Sequence, residues 1–135
     1  MNKNQIEEIE LGIASGVDVT IYAKLEFDAQ QMWEIRRGLE EGLAVSIYAK
    51  PEFDDDQMWH IRDGLEKGLD VSIYAKQEFD REQMQEIRCG LDNGLDVSIY
   101  AKPCIKWTEM YDIRERLLRE RRNEQTTNRR DRTRN

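Results

Sequence analysis

The sequence predicts an all-α chain, a helical repeat array (solenoid) of 26-residue units, on three observations. First, Tyr22, Tyr48, Tyr74 and Tyr100 are spaced by 26 residues, as are Ile9, Ile35, Ile61, Ile87 and Ile113, and the string IYAK recurs four times. Self-similarity at this period is the signature of a repeat architecture. Second, Asp28, Asp54 and Asp80 stand three residues before Gln31, Gln57 and Gln83. That is the capping-box spacing, in which the Asp side chain accepts from an otherwise unpaired helix amide. Third, Gly16, Gly42, Gly68 and Gly94 close the helical stretch of each unit.

The long helix of a unit follows from its residues in order. Phe27 precedes the Asp28 cap and is placed to pack back as a hydrophobic staple. Met32, Ile35 and Leu39 recur at spacings of three and four, one face of a helix. Gly42 is placed to take the left-handed conformation that ends the helix, with Leu43 folding back on the last turn. Gly38 lies inside the helix, where glycine costs about 1 kcal/mol relative to alanine. Its return in four units predicts close approach of a neighbouring helix. Long helices are expected near 3–15, 29–41, 55–67, 81–93 and 106–122. The units repeat at about 2–27, 28–53, 54–79, 80–105 and 106–122, so residues 1–122 form one repeat domain.

The second half of each unit, DVSIYAK, has two readings. Asp70 or Asp96 can cap a short helix with Val71, Tyr74 and Ala75 facing inward, and Pro51 and Pro103 mark its stop. Alternatively, Val71, Ile73 and Ala75 alternate with Ser72, Tyr74 and Lys76 as a strand, which would make an α/β solenoid. The short helix is preferred, because Ala and Lys are good helix formers. The end units depart from the pattern, as terminal repeats do. Ile13 replaces Leu and Glu10 replaces Arg in the first unit, and Lys106, Arg116 and Glu120 replace the cap and both glycines in the last. Without those glycines the last helix can run on through RERLLRERR. Residues 123–135 are polar throughout and are expected to be a disordered basic tail.

Charge divides the chain. Residues 1–112 hold 24 acidic and 12 basic groups, and residues 113–135 hold 4 acidic and 9 basic groups. The body should repel nucleic acid and suit a basic protein partner, whereas the tail could attract phosphate. Cys89 and Cys104 occupy different repeat positions, which favours free thiols in a reducing compartment. No apolar run is long enough to cross a membrane, and MNKNQIEEIE lacks the apolar stretch of a signal peptide. A cytoplasmic protein of bacterial or phage type is expected.

The string D-x-x-QM-x-EIR-x-GL-x-x-GLDVSIYAKPEF resembles short repeats in proteins from mobile elements and phages of gut Firmicutes. The likeness covers residues 5 to about 118. It implies a cytoplasmic bacterial or phage protein and suggests interference with a host defence system.

No catalytic constellation, metal-ligand set or cofactor motif stands out. His60, the single histidine, occupies the slot of Glu34 and Glu86 and is expected to face solvent without a catalytic or metal partner. Asp54, Asp55 and Asp56 are explained by a helix start. The aromatic residues carry more signal. Trp33 lies about 100° outside the Met32–Ile35–Leu39 arc, beside Arg37, with Trp59 and Tyr111 in the same slot and Gln85 breaking the row. Aromatic groups beside Arg are common interface anchors, so Trp33, Arg37, Trp59 and Tyr111 are candidate protein-binding residues, the bland alternative being that each unit's short segment covers them.

Arg36, Arg62 and Arg88 have Glu40, Glu66 and Asp92 four residues on, the spacing of helix ion pairs. Arg114 continues that ladder. Lys24, Lys50, Lys76 and Lys102 form a second ladder that keeps the surface soluble. The Tyr row belongs to the core, with its hydroxyls paired or reaching water. Arg119, Arg121, Arg122, Arg129, Arg130, Arg132 and Arg134 are candidate phosphate contacts, and solubilisation by the tail is the plain alternative.

The leading expectation is a non-enzymatic protein–protein interaction module. Nucleic-acid binding through the arginine-rich tail is the second, and acidic mimicry of nucleic acid the third. Self-association through terminal repeats is a further expectation, with Ile6, Ile9 and Ile13 as the contact.

Overall fold

The computed structural model describes the backbone of residues 1–133 and the side chains of residues 1–130. Five long helices alternate with four single turns of 3-10 helix. The long helices are α1 (Lys3–Ser15), α2 (Ala29–Glu40), α3 (Asp55–Glu66), α4 (Arg81–Asp92) and α5 (Trp107–Thr133). The short turns are η1 (Val19–Ile21), η2 (Val45–Ile47), η3 (Val71–Ile73) and η4 (Val97–Ile99). No strand occurs among the described residues, so the α/β alternative falls and the short-helix reading holds.

Each of the first four long helices starts as the capping-box pattern predicts. The side chains of Asn2, Asp28, Asp54 and Asp80 each accept from the backbone N–H of the Gln three residues on, at 2.8 Å. Each Gln accepts in return, through Oε1, from the cap backbone N–H at 2.8–3.0 Å. At the far end Gly42 has φ 72°. Its N–H reaches Leu39 O, and Leu43 N–H reaches Gly38 O at 2.9 Å, the paired bonds of a Schellman stop. The side chains of Asp18, Asp70 and Asp96 then cap η1, η3 and η4, whereas Ala44 makes no such bond.

The units stack in sequence order, α1 on α2, α2 on α3, α3 on α4 and α4 on α5, with η1–η4 each on its own unit's helix. The core runs continuously between them. Tyr22, Tyr48, Tyr74 and Tyr100, Met32, Met58, Met84 and Met110, and Ile35, Ile61 and Ile87 are all fully buried. Burying a side chain of this size stabilises the fold by about 1.5–3 kcal/mol relative to leaving it in water.

Gly38 is explained by its own unit and not by a neighbouring helix. A Cβ there would lie 2.0 Å from Tyr48 Oη and 2.6 Å from Val45 Cγ1. The missing side chain lets the Tyr48 hydroxyl reach the helix backbone, where it donates to Glu34 O at 2.7 Å. Tyr22, Tyr74 and Tyr100 do the same to the carbonyls of Glu8, His60 and Glu86. The core expectation for this row therefore holds, with every hydroxyl paired.

Where composition predicts a disordered tail, α5 continues without a break to Thr133. No Gly or Pro falls between Trp107 and Thr133, and the slot of the glycine that stops earlier helices holds Glu120. The helix is 27 residues long, about 40 Å, so it projects well past the others. Arg121 ties it back to the preceding unit, donating to Asn93 O at 2.5 Å.

Candidate interaction surface

The Tyr–carbonyl bond places one residue of each unit, the slot of Glu8, Glu34, His60 and Glu86, toward the unit that follows. That slot is buried at Glu34, His60 and Glu86 and half-buried at Glu8. Glu34 and His60 are each 7% exposed and Glu86 is 4% exposed, which corrects the expectation for His60. A helical wheel drawn for one helix shows one contact side, but a helix inside an array has two.

Into this slot reaches an arginine 28 residues on. Arg36 Nε donates to Glu8 at 2.7 Å, Arg62 Nε to Glu34 at 2.8 Å and Arg114 Nε to Glu86 at 2.9 Å. The ion pairs expected within a helix form as well for Arg36 with Glu40 at 2.9 Å and for Arg62 with Glu66. Arg88 instead turns to Asp63 at 2.8 Å and donates through Nε to His60 Nδ1 at 3.3 Å. Burial, then the Arg88 charge, lowers the His60 pKa to about 4, so it stays neutral. Burial raises the Glu34 carboxyl pKa, with Arg62 pulling it back.

The same arginines hold the aromatic row. The guanidinium carbon of Arg62 lies 5.6 Å from the Trp33 ring centre, with Arg37 at the same distance. Arg88 lies 5.2 Å from the Trp59 ring, and Arg114 lies 5.2 Å from the Tyr111 ring. These are cation–π distances. Each ring thus has a cation packed against it, yet Trp33 is 38% exposed, Trp59 40% and Tyr111 45%. The short turns do not cover them, because η1–η4 pack on the glycine side of each helix. Arg37 sits beside Trp33 on the exposed side, bridging to Glu40 and Glu41 at 3.8 and 3.6 Å. All four residues expected to bind protein thus lie on the outward surface of the long helices, Trp33, Arg37 and Trp59 on adjoining helices and Tyr111 on α5.

Acids surround the two tryptophans. Trp33 forms one wall of a groove between α1 and α2 with Asn4, Glu7, Glu8, Ala29 and Gln30. Trp59 stands on α3 one turn from Asp55 and Asp56. The carboxylates of Asp54, Asp55 and Asp56 come within 4.8 Å of one another, and Asp54 is committed to capping. Burial and the Asp56 charge raise the Asp55 pKa.

The candidate phosphate contacts are divided by the helix. Arg119, Arg122, Arg129 and Arg130 fall within a sector of about 100° on the side of α5 away from its buried Met110. Arg121 faces the array and is used there. The Arg132 side chain and all of Arg134 lie outside the described residues.

Two features escaped sequence reasoning. Trp107 is 44% exposed one turn before Tyr111 and extends the aromatic surface on α5; the i,i+4 spacing was the available signal. The ladder between units was readable only as a Glu–Arg spacing of 28, which exceeds the 26-residue period by two. No family model, no curated protein and no solved structure matches this chain.

Proposed function

We propose that this chain is a non-catalytic binding scaffold that grips a basic protein through the outward surface of α2 and α3. One observation carries this reading. Every Phe and Tyr of the second and third units is buried to 3% exposure or less, whereas Trp33 and Trp59 are backed by arginines and left open. Rigid aromatic anchors contribute affinity at small entropic cost, and the carboxylates around them favour lysine and arginine on the partner. The likeness of the motif to repeats of mobile-element and phage proteins directs the search for that partner to host proteins, defence proteins first.

The test is capture from host extract with immobilised chain, followed by the Trp33→Ala/Trp59→Ala variant. The expected outcome is loss of the captured basic protein by at least about tenfold, with stability lowered by only about 1–2 kcal/mol through the three cation–π contacts. Unchanged capture, or an array that unfolds, sinks the reading.

A second reading rests on the helical extension of α5. Its Arg119, Arg122, Arg129 and Arg130 stripe offers a row of cations to a phosphate backbone. Removal of residues 123–135 should then abolish retention of duplex DNA at low salt, and moderate salt should do likewise. Mimicry of nucleic acid by the acidic body ranks below both, because the exposed Lys24, Lys50, Lys76 and Lys102 interrupt its acidic surface.

A further inference from the structure

Every unit after the first turns one face of its long helix onto the unit before it. That face carries the fully buried Met32, Met58, Met84 and Met110, and the arginines that reach back to the preceding helix. On α1 the corresponding face is bare. Ile6 stands in the Met slot and is 46% exposed, and Ile13 is 63% exposed. Lys3, Ile6, Glu10 and Ile13 follow a spacing of three, four and three, so they form one stripe along α1. Lys3, Ile6, Glu7 and Glu10 line a shared groove. Two large apolar side chains, Ile6 and Ile13, thus stand open among the charges of this face.

The charges on the stripe select what covers it. Glu10 occupies the slot that holds Arg36, Arg62, Arg88 and Arg114 in the other units. A preceding unit of the same kind would set its own slot carboxylate against Glu10. The far end of another copy would do so too, since Asp112 holds that slot on α5. Like charges therefore oppose head-to-tail stacking. Two α1 helices running antiparallel about a two-fold axis meet the opposite condition. Ile6 and Ile13 of both copies come together, and Lys3 of each lies alongside Glu10 of the other. Such a contact is self-complementary and closes on itself.

We infer that a second copy of this chain covers this face, α1 against α1 in an antiparallel two-fold contact. The surface is separate from the Trp33–Trp59 surface and does not depend on the function proposed for it. A contact made by one helix per copy is smaller than the roughly 1,200–2,000 Å² of a standard interface, so the dimer is expected to dissociate in the micromolar range.

The test is light scattering on the full chain from roughly 10 µM to 1 mM. The mass should rise from 16.1 kDa toward twice that value and stop. Ile6→Glu/Ile13→Glu should stay at 16.1 kDa throughout with the helical signal of the parent. Lys3→Glu, a fully exposed change, should weaken the dimer about tenfold, and Lys3→Glu/Glu10→Lys should recover it to within about threefold. A parent that is monomeric at every concentration, a mass that climbs without limit, a dimer indifferent to Lys3→Glu, or a charge swap that fails to recover it would each overturn the inference.

Discussion

Two junctions in this array do the same work with different residues. Between α2 and α3, Arg62 donates to the buried carboxylate of Glu34 at 2.8 Å, and Arg37 stands one turn on, exposed. Between α3 and α4, the slot of Glu34 holds neutral His60 and the slot of Arg37 holds Asp63, which takes the Arg88 guanidinium at 2.8 Å. One acid was lost from the slot and one regained a turn away. Lys67 joins Asp63 at 3.1 Å, as Glu41 joins Arg62 at 3.5 Å in the other junction. The lesson is that stacking conserves a satisfied guanidinium beneath an aromatic ring, while the identity of its acceptor drifts.

The largest difference between the junctions should appear when the arginine is removed. Arg62→Met leaves Glu34 charged, buried and without its partner, which costs about 3–5 kcal/mol. Arg88→Met leaves a neutral imidazole and an Asp63 still paired with Lys67, so about 1–2 kcal/mol is expected. Urea unfolding of the two variants measures this directly, and equal losses would break the comparison.

Next in size is the exchange at the α3–α4 junction. Asp63→Arg removes the carboxylate hydrogen-bonded to Arg88 and adds a like charge beside it, at an expected cost of about 3 kcal/mol. His60→Glu on top of it recreates the Glu34–Arg37 arrangement and should return stability to within about 1 kcal/mol of the parent. A double variant as unstable as Asp63→Arg alone would show that the two slots are not coupled.

The smallest effect is titration. His60 has a folded pKa of about 4 against an ordinary 6.5, so its contribution is present above pH 6.5 and is lost as pH falls through 4. Glu34 works the other way. Its raised carboxyl pKa makes the folded state hold a proton more tightly than the unfolded one, which favours folding as pH falls. His60→Gln isolates the first effect. Relative to that variant, the parent should lose about 2 kcal/mol between pH 7 and pH 4.5, read from paired denaturation curves.

Much of the fold was legible because its determinants are local. The Asp–Gln cap, the Met32–Ile35–Leu39 face and the Gly42 stop each act within one helix, and the structure reproduces all three. The short segment was harder, since VSIYAK satisfies two periods; it forms a helical turn in every unit, capped by Asp70 and Asp96 and uncapped at Ala44. The Arg–Glu ladder and the burial of His60 were not legible. They arise from how units stack, at a spacing of 28 that no single-helix pattern contains. Trp33, Arg37, Trp59 and Tyr111 lie outside the apolar arc and stay exposed because, unlike the His60 slot, theirs is not covered by the unit that follows. That arginines of the following unit hold Trp33 and Trp59 was not readable, for the same reason as the ladder. The tail was misread because composition describes what cannot build a core, and α5 needs none to continue a helix already begun.

The capping glutamines carry a consequence for how the array comes apart. Gln31 accepts from the Asp28 N–H through one end of its amide and donates through the other to Phe53 O, the residue before the cap of the next long helix, at 2.6 Å. Gln5, Gln57 and Gln83 repeat the arrangement. One side chain thus both starts a helix and docks its neighbour. Fraying of a helix start and separation of two units are then a single event, and nearest-neighbour coupling exceeds what apolar contact alone would supply. Melting proceeds as a zipper whose teeth share their hinges, with Glu109 in the last unit, a side chain that cannot donate in its charged form, as the point where the zipper ends.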